Sequence, residues 1–213
     1  MRDGSQDPGR NDGAADRAEP ATAVEEADIA LSERVADARH NPAVRALGTL
    51  AEIGDQPPLL ALCAGTLAAG LVTRRKRVAV AGARMLLSFT IATVIKATVK
   101  RSVSRTRPKV LLDEGVYDVQ PLGPDKGDWH SFPSGHTAGS LAVARALART
   151  IPEAALPAYA AAAAIAAVQV PTARHFASDV AAGAMIGLAA DALAARVGRE
   201  VERLAVRAGS AGI

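Results

Sequence analysis

The chain has 213 residues, of which 49% are hydrophobic, 22% are charged and only 3% are aromatic. This length fits one domain with or without a tail, and so large a hydrophobic fraction excludes a wholly disordered chain. The single cysteine, Cys63, excludes an intramolecular disulfide framework and a cysteine-rich zinc site. A net charge of +3 is compatible with nucleic-acid binding, but the scarcity of aromatic side chains argues against a stacking platform. We expect no nucleic-acid partner.

Residues 1–40 form a polar N-terminal tail rich in Asp, Glu, Gly, Ala and Pro. We predict that residues 1–20 are disordered, and that they are not a signal peptide because no apolar run follows their arginines. From residue 21 the composition favours helix. Over residues 41–56 we predict an amphipathic helix that packs on other helices or lies in a membrane interface. Its apolar stripe consists of Val44, Leu47, Leu50 and Ile53.

The rest of the chain contains five apolar runs rich in small residues. They cover residues 59–72, 78–98, 134–147, 154–170 and 180–197. Several are shorter than the roughly 20 residues that cross a bilayer, but flanking residues can lengthen each by a turn. We therefore predict an all-α polytopic membrane bundle of about five to six helices, over residues 57–200, with a basic C-terminal tail over 201–213. A soluble Ala-rich helical bundle is the alternative.

The charge pattern predicts how this bundle is oriented. The basic cluster at residues 74–77 should lie on the cytoplasmic side. If the helices then cross the membrane in alternating directions, the loops around residues 100–136 and 171–179 both lie on the outer side. We thus expect an integral protein of a bacterial-type inner membrane with its site on the periplasmic face. The side of the N-terminal tail stays open. Gly183 and Gly187 favour close helix packing in lipid.

The first of three chemical motifs contains Lys100, Arg107 and Pro108. A guanidinium offers paired planar donors that match phosphate oxygens, and an ammonium supplies a more compact charge. We expect Pro108 to stop the preceding helix and to begin the loop. The alternative is an unselective basic patch on lipid headgroups, because Arg101 and Arg105 lie in the same stretch.

The second motif is Pro133-Ser134-Gly135-His136, which leads directly into an apolar run. We expect Ser134 to be the N-cap of a helix. Gly135 would let an oxyanion approach the free amides at that helix start. His136, in the first turn, could protonate a departing alkoxide. An ordinary capped helix with an interfacial histidine is the alternative.

The third motif contains Arg174, His175 and Asp179. Positions 175 and 179 are one helical turn apart, so their side chains would share a face. A carboxylate there can hold one imidazole nitrogen and leave the other free to attack. The alternatives are a plain interfacial His–Asp pair, or a zinc site that adds His130 and His136. The zinc site ranks lower, because the surrounding Lys and Arg residues repel a cation. We expect no metal and no cofactor.

The ordered set Lys100-x6-Arg107-Pro108, Pro133-Ser134-Gly135-His136 and His175-x3-Asp179 resembles the motifs of the type 2 phosphatidic acid phosphatase superfamily. The resemblance covers roughly residues 57–195. It implies a metal-independent phosphatase that works through a covalent phosphohistidine.

The resemblance also implies a role for each matching residue. His175 would be the nucleophile, Asp179 its orienting partner, and His136 the acid that protonates the leaving oxygen. The implied phosphate-binding residues are Lys100, Arg107, Ser134 and Gly135.

One departure from the family pattern concerns phosphate binding. The third motif of the family begins with Ser-Arg, but this chain has Val168 and Gln169 there. Gln169 can donate a hydrogen bond but carries no charge, and Arg174 can substitute for the arginine only from a different direction. A weakly active or non-catalytic relative that binds anionic lipid headgroups is therefore the main alternative.

Together these observations predict an integral membrane phosphatase whose partners are membrane lipids and a lipid phosphate or diphosphate substrate. Substrates of the implied class include phosphatidic acid, phosphatidylglycerol phosphate and polyprenyl phosphates. Two further alternatives are a vanadate-dependent haloperoxidase, which shares the motifs, and a soluble acid phosphatase.

Overall fold

The computed structural model describes residues 20–123 and 127–211. The disorder predicted for the start of the chain concerns residues that lie, except for Pro20, outside these ranges. Within them the chain forms eight α-helices: α1 (Ala23–Arg34), α2 (Pro42–Leu50), α3 (Gln56–Val72), α4 (Lys76–Ser102), α5 (Pro108–Glu114), α6 (Gly135–Thr150), α7 (Ala155–Val168) and α8 (Ala177–Ala211). Two short strands, β1 (Val103–Arg105) and β2 (Val119–Pro121), pair antiparallel in the connection between α4 and α6.

Five of these helices, α3, α4, α6, α7 and α8, form a bundle in which successive members run in opposite directions. They correspond to the five apolar runs, so the predicted all-α bundle is confirmed. Over the described residues, Lys76–Ser102 and Ala177–Leu204 are long and apolar enough to cross a membrane, with mean hydropathies of 1.9 and 1.6. Gln56–Val72 and Pro152–Val168 are shorter apolar helices. Large apolar side chains are exposed on the outside of the bundle, among them Leu60, Leu71, Val94, Leu156 and Met185.

Glycines bring α8 into close contact with α6. A Cβ atom at Gly183 would lie 2.5 Å from the carbonyl oxygen of Ser134, and one at Gly187 would lie 2.7 Å from that of Ala138. These distances are shorter than any ordinary carbon–oxygen contact, so only glycine fits at this spacing. The predicted close packing at these glycines is present. It places the N-terminal ends of α6 and α8 side by side, where the amide of Ser134 donates to the carbonyl oxygen of Asp179 at 3.0 Å.

The N-terminal helices lie at the same end of the bundle as these two helix starts. Helix α1 begins with a capping box, in which Thr22 and Glu25 bond each other's backbone amides. It ends at Arg34 and is followed by the 3-10 helix Ala36–His40. Helix α2 begins at Pro42 after the N-cap Asn41 and continues into the 3-10 helix Ala51–Gly54.

Helix α2 and the 3-10 helix that follows it carry the amphipathic stripe described above, and apart from the half-buried Val44 that stripe faces outward. Leu47, Leu50 and Ile53 are 55%, 70% and 59% exposed. At the other end of the chain, α8 extends through the segment that the sequence assigned to a C-terminal tail and reaches Ala211.

The expected role of Pro108 was wrong. Helix α4 already ends at Ser102, where β1 takes over the chain. Pro108 occupies the first turn of α5. A proline fits there because the first amides of a helix have no intrahelical partner in any case.

Candidate active site

A cavity of about 460 Å³ opens at the end of the bundle where α4 ends and α6 and α8 begin. The described residues that line this cavity carry both acidic and basic side chains. The lining residues are Glu52, Asp55, Gln56, Lys96, Lys100, Arg107, Gly135, His136, Arg174 and His175. Residues from all three sequence motifs therefore meet around one space.

The ring of His175 is buried, and the backbone of Ser131 fixes which of its nitrogens carries the proton. Nδ1 of His175 lies 2.7 Å from the carbonyl oxygen of Ser131. A carbonyl oxygen only accepts hydrogen bonds, so Nδ1 must be protonated and the free lone pair lies on Nε2. Sequence reasoning did not find Ser131, which lies two residues before the second motif.

Asp179 lies behind His175, although His175 itself precedes the first residue of α8. Oδ2 of Asp179 is 3.7 Å from Nδ1 of His175, a distance too long for a hydrogen bond but short enough for the carboxylate to act on the ring electrostatically. Other groups hold the carboxylate in place. Its Oδ2 accepts from the amide of Phe176 at 2.8 Å and from the hydroxyl of Ser131. Asp179 is fully buried, so these bonds offset the cost of removing its charge from water.

Burial lowers the pKa of His175 below its ordinary value. The positive charges of Arg107 and Lys100 act in the same direction, whereas Asp179 opposes the shift. The ring is therefore neutral near pH 7, which is the form in which a histidine can act as a nucleophile.

Arg105 holds Asp179 from the side away from the cavity. Its Nη1 donates to Oδ1 of Asp179 at 2.8 Å, and its Cζ lies 4.1 Å from the centroid of the Phe176 ring, within cation–π distance. Burial acts to lower the pKa of Arg105, but the charge of Asp179 helps to raise it above its ordinary value. The sequence interpretation of Arg105 as part of an unselective basic patch was wrong, because this side chain is only 5% exposed.

His136 lies in the first turn of α6, as predicted, and faces the cavity. Its Nε2 is buried and has no hydrogen-bond partner in the described part of the chain. Oε2 of Glu52 approaches it to 3.6 Å. A buried nitrogen without a partner is unfavourable, and it is free to bond an oxygen of a ligand.

Lysine and arginine side chains from two segments supply positive charge to the cavity. Lys100 donates to the carbonyl oxygen of His130 at 2.9 Å, and Arg107 donates to that of Gly127 at 3.2 Å. Lys96 donates to Oε1 of Gln56 at 3.0 Å. Sequence reasoning missed Lys96, although its position one turn before Lys100 on α4 could have indicated it.

Arg174, and not Gln169, brings a charge to the cavity from the third motif. The side-chain amide of Gln169 donates to the carbonyl oxygen of Ile165 at 2.8 Å. Gln169 is fully buried and does not line the cavity, although its backbone carbonyl oxygen accepts from the amides of Arg174 and His175. Nη1 of Arg174 forms a close ion pair with Oε1 of Glu52. Glu52, which follows α2, was not predicted as a site residue.

Ser134 and Gly135 have different positions relative to the cavity. Ser134 is the N-cap of α6, and its buried hydroxyl bonds to Thr137. It is not among the residues that line the cavity. Gly135 does line it, and a Cβ atom at this position would lie 3.0 Å from Cδ of Lys96. The glycine therefore leaves room for the Lys96 side chain beside the helix start.

The described ranges contain no group of three or more His, Cys, Asp and Glu residues that could hold a metal ion. The histidines of the cavity are instead surrounded by Lys and Arg. This donor set matches an anion better than a cation.

Comparison with known proteins identifies the family. The model of the PAP2 superfamily matches residues 81–203, which is more than half of the chain. The protein belongs to the PAP2 superfamily, and it is a phosphatase of the type 2 phosphatidic acid phosphatase class built as a membrane helix bundle.

Two solved structures are similar to this chain. The crystal structure of LpxE from Aquifex aeolicus aligns with a TM-score of 0.61 and 25% identity, and the match covers 79% of this chain and 94% of LpxE. A transmembrane PAP2 type phosphatidylglycerolphosphate phosphatase from Bacillus subtilis aligns with a TM-score of 0.41 and 21% identity, over 83% of this chain and 96% of the other. No match was found among curated proteins.

Proposed function

We propose that this phosphatase hydrolyses a phosphate or diphosphate group on a membrane lipid through a covalent phosphohistidine at His175, without a metal ion. The observation that carries the proposal is the bond from Nδ1 of His175 to the carbonyl oxygen of Ser131. It leaves Nε2 as the nucleophile in a ring that borders a cation-rich cavity.

The substrate phosphate would bind among Lys100, Arg107 and Arg174, with the amide of Gly135 at the start of α6 as a further donor. Guanidinium groups match two phosphate oxygens at once. A helix start adds free amides and the positive end of the helix dipole. The same groups would stabilise the charge on the phosphoryl oxygens in the transition state.

In the first step Nε2 of His175 attacks phosphorus, and the bond from phosphorus to the ester oxygen breaks. His136 gives a proton to that departing oxygen, so that the lipid leaves as a neutral alcohol. The ring of His175 now carries a positive charge, which Asp179 stabilises from 3.7 Å and the carbonyl oxygen of Ser131 stabilises at Nδ1.

In the second step water attacks phosphorus while His136 removes a proton from it. The bond between phosphorus and nitrogen breaks, inorganic phosphate leaves, and His175 returns to its neutral form. The unpartnered Nε2 of His136 suits both proton transfers.

The lipid nature of the substrate is supported by the position of the cavity. It opens at an end of the membrane bundle, next to α2 and the 3-10 helix after it, whose exposed Leu47, Leu50 and Ile53 suit a membrane interface. The basic residues 74–77 lie at the opposite end of α4, which by the positive-inside rule supports a site on the outer face of a bacterial-type inner membrane. On this proposal residues 57–200 carry the phosphatase domain. The candidate substrates are phosphatidic acid, phosphatidylglycerol phosphate and polyprenyl phosphates.

The proposal is tested by phosphate release from a panel of these lipids in detergent, with a chelator present. Chelator-resistant hydrolysis by the unmodified protein is expected. His175→Ala should lower kcat by about 10⁴-fold or more, as loss of a nucleophile does in other hydrolases. His40→Ala is the matched control, because His40 is exposed and does not line the cavity.

The covalent step has its own readout. Rapid quenching with a radiolabelled substrate should trap label on the protein that resists base and is lost in acid, as a phosphorus–nitrogen bond is. His175→Ala should trap none. Hydrolysis that survives this substitution, or lipid binding without any hydrolysis by the unmodified chain, would refute the mechanism.

A further inference from the structure

Asp28 is a buried carboxylate on the N-terminal helix α1, which otherwise has mostly exposed or partly exposed side chains. It is only 4% exposed, and it lies outside the segment that the family model matches. A buried aspartate is costly unless its oxygens are bonded. Its partners therefore indicate what α1 contributes to the fold.

All the polar contacts of Asp28 lead to residues next to the active site. Its Oδ2 accepts from Nη2 of Arg105 at 2.9 Å, and its Oδ1 accepts from the backbone amide of Ser178 at 3.0 Å. The hydroxyl of Ser178 also donates to Oδ2. Asp28 thus binds both the arginine that holds Asp179 and the residue that directly precedes Asp179.

Arg105 therefore joins two buried carboxylates, with Nη1 on Asp179 at 2.8 Å and Nη2 on Asp28 at 2.9 Å. Before the reaction this trio carries one net negative charge. When phosphorylation at Nε2 makes the ring of His175 positive, the charge of the ring and the charge of the trio balance, while the negative phosphoryl group faces the cations of the cavity. Without Asp28, Arg105 and Asp179 would form a neutral pair, and the positive ring of the intermediate would have no net negative charge behind it in a buried site.

We propose that Asp28 is a positioning residue for the reaction, which acts through Arg105 and Ser178 to hold Asp179 against His175 and to balance the charge of the intermediate. This inference rests on the proposed function. It makes the N-terminal helix a part of the active enzyme.

The test uses the full-length chain in detergent and the substitution Asp28→Asn, which keeps the shape and removes the charge. We expect kcat to fall about 10-fold, a usual size for coupling within one network, while KM changes by less than about twofold. Glu26→Gln is the matched control, because it removes the same charge from an exposed position on the same helix. It should leave both constants unchanged.

A pH titration separates positioning from a purely structural role. The charged groups that act on His175 are Asp179, Arg107 and Lys100, and Asp28 acts on it through Arg105. Removal of the negative charge at Asp28 makes protonation of His175 less favourable. The NMR titration midpoint of His175 should therefore move to lower pH in Asp28→Asn and stay in place in Glu26→Gln.

Thermal unfolding shows whether Asp28→Asn is folded. If it is not, Ser178→Ala decides, because it removes the hydroxyl that donates to Asp28 and accepts from Arg105, while it keeps the backbone amide bond and every charge. It should lower kcat about threefold at constant KM. The inference would be overturned if kcat were unchanged in Asp28→Asn or, where that variant does not fold, in Ser178→Ala. Failure of the proposed function would give a different result: the unmodified chain would be inactive, or His175→Ala would remain active.

Discussion

At the level of single residues, the two cavity histidines have the same side chain and different surroundings. His175 is held through Nδ1 by the carbonyl oxygen of Ser131, whereas Nε2 of His136 has no partner among the described residues. The first ring is fixed for attack from one nitrogen. The second is free to exchange a proton with an oxygen. In the proposed mechanism these surroundings suit the first ring to attack phosphorus and the second to transfer protons.

The depressed pKa of His175 predicts a specific pH dependence. Burial disfavours the protonated ring, so His175 should lose its proton below about pH 6.5, the ordinary value for histidine. The chain has four histidines, and NMR titration of labelled protein can follow each one, with His175→Asn identifying the signal. A midpoint above 6.5 would contradict the prediction. The substrate phosphate also ionises near pH 6, which is why the protein signal is preferred to a rate profile.

Glu52 should compete with phosphate for the guanidinium group of Arg174. A ligand that binds Arg174 must displace the carboxylate of Glu52 or share the guanidinium with it. Glu52→Gln removes the competing charge, so the inhibition constant of inorganic phosphate should fall between about 2- and 5-fold, the size expected for a partly exposed pair.

The same substitution removes the carboxylate 3.6 Å from Nε2 of His136. That carboxylate favours a protonated ring, so kcat should fall while phosphate binds more tightly. Glu33→Gln, at an exposed position on α1, controls for the change in net charge. Weaker phosphate inhibition in Glu52→Gln would show that Glu52 does not compete for the anion.

At the level of helices, the contact between α6 and α8 sets the distance between the second and third motifs. Gly183→Ala would place a Cβ atom 2.5 Å from the carbonyl oxygen of Ser134 and push the two helix starts apart. We expect a loss of about 1–3 kcal/mol in the free energy of unfolding. Since His136 and His175 approach from these two helix starts, kcat should fall as well.

Gly198→Ala is the matched control on the same helix, because nothing lies within 4 Å of its added Cβ atom. Alanine is the better helix former by about 1 kcal/mol, so this variant should be as stable as the parent or more stable. Thermal unfolding in detergent and phosphate release measure both effects. Equal stability and equal kcat in Gly183→Ala and Gly198→Ala would mean that the contact between α6 and α8 at Gly183 is not tight.

The sequence was sufficient to predict the bundle and most of the cavity because both depend on local patterns. Apolar runs mark the helices, and the three motifs contain six of the lining residues. The network behind the cavity could not be predicted in this way. Arg105 is 77 residues from Asp28 and 74 from Asp179, and no helical or strand period relates positions so far apart.

Glu52 illustrates the same limit at the front of the cavity. It is 122 residues from Arg174 and follows an amphipathic helix that the sequence placed outside the phosphatase domain. The left-handed backbone at Ala173, with φ of 55°, is also uncommon for a residue with a side chain. Composition alone gives no sign of that turn, which directs Arg174 and His175 back toward the bundle.

At the level of the whole molecule, the two ends of the bundle have different chemistry. The cavity, α1 and α2 are at one end. At the other end Asp191, which is 2% exposed, accepts hydrogen bonds from Arg145 at 3.0 Å and Arg149 at 2.6 Å. These arginines neutralise the acidic residue of the last apolar run, and in the proposed orientation they lie toward the cytoplasmic side.

The exposed apolar stripe of α2 beside the cavity has a consequence for the direction of the reaction. A substrate of the proposed class can keep its hydrocarbon chains in the leaflet while its headgroup enters among the cations. After cleavage the alcohol stays in that two-dimensional phase, whereas the inorganic phosphate diffuses away into the aqueous compartment. Resynthesis would require the two products to meet again from different phases, so their separation slows the reverse reaction, while the free energy of hydrolysis sets the equilibrium.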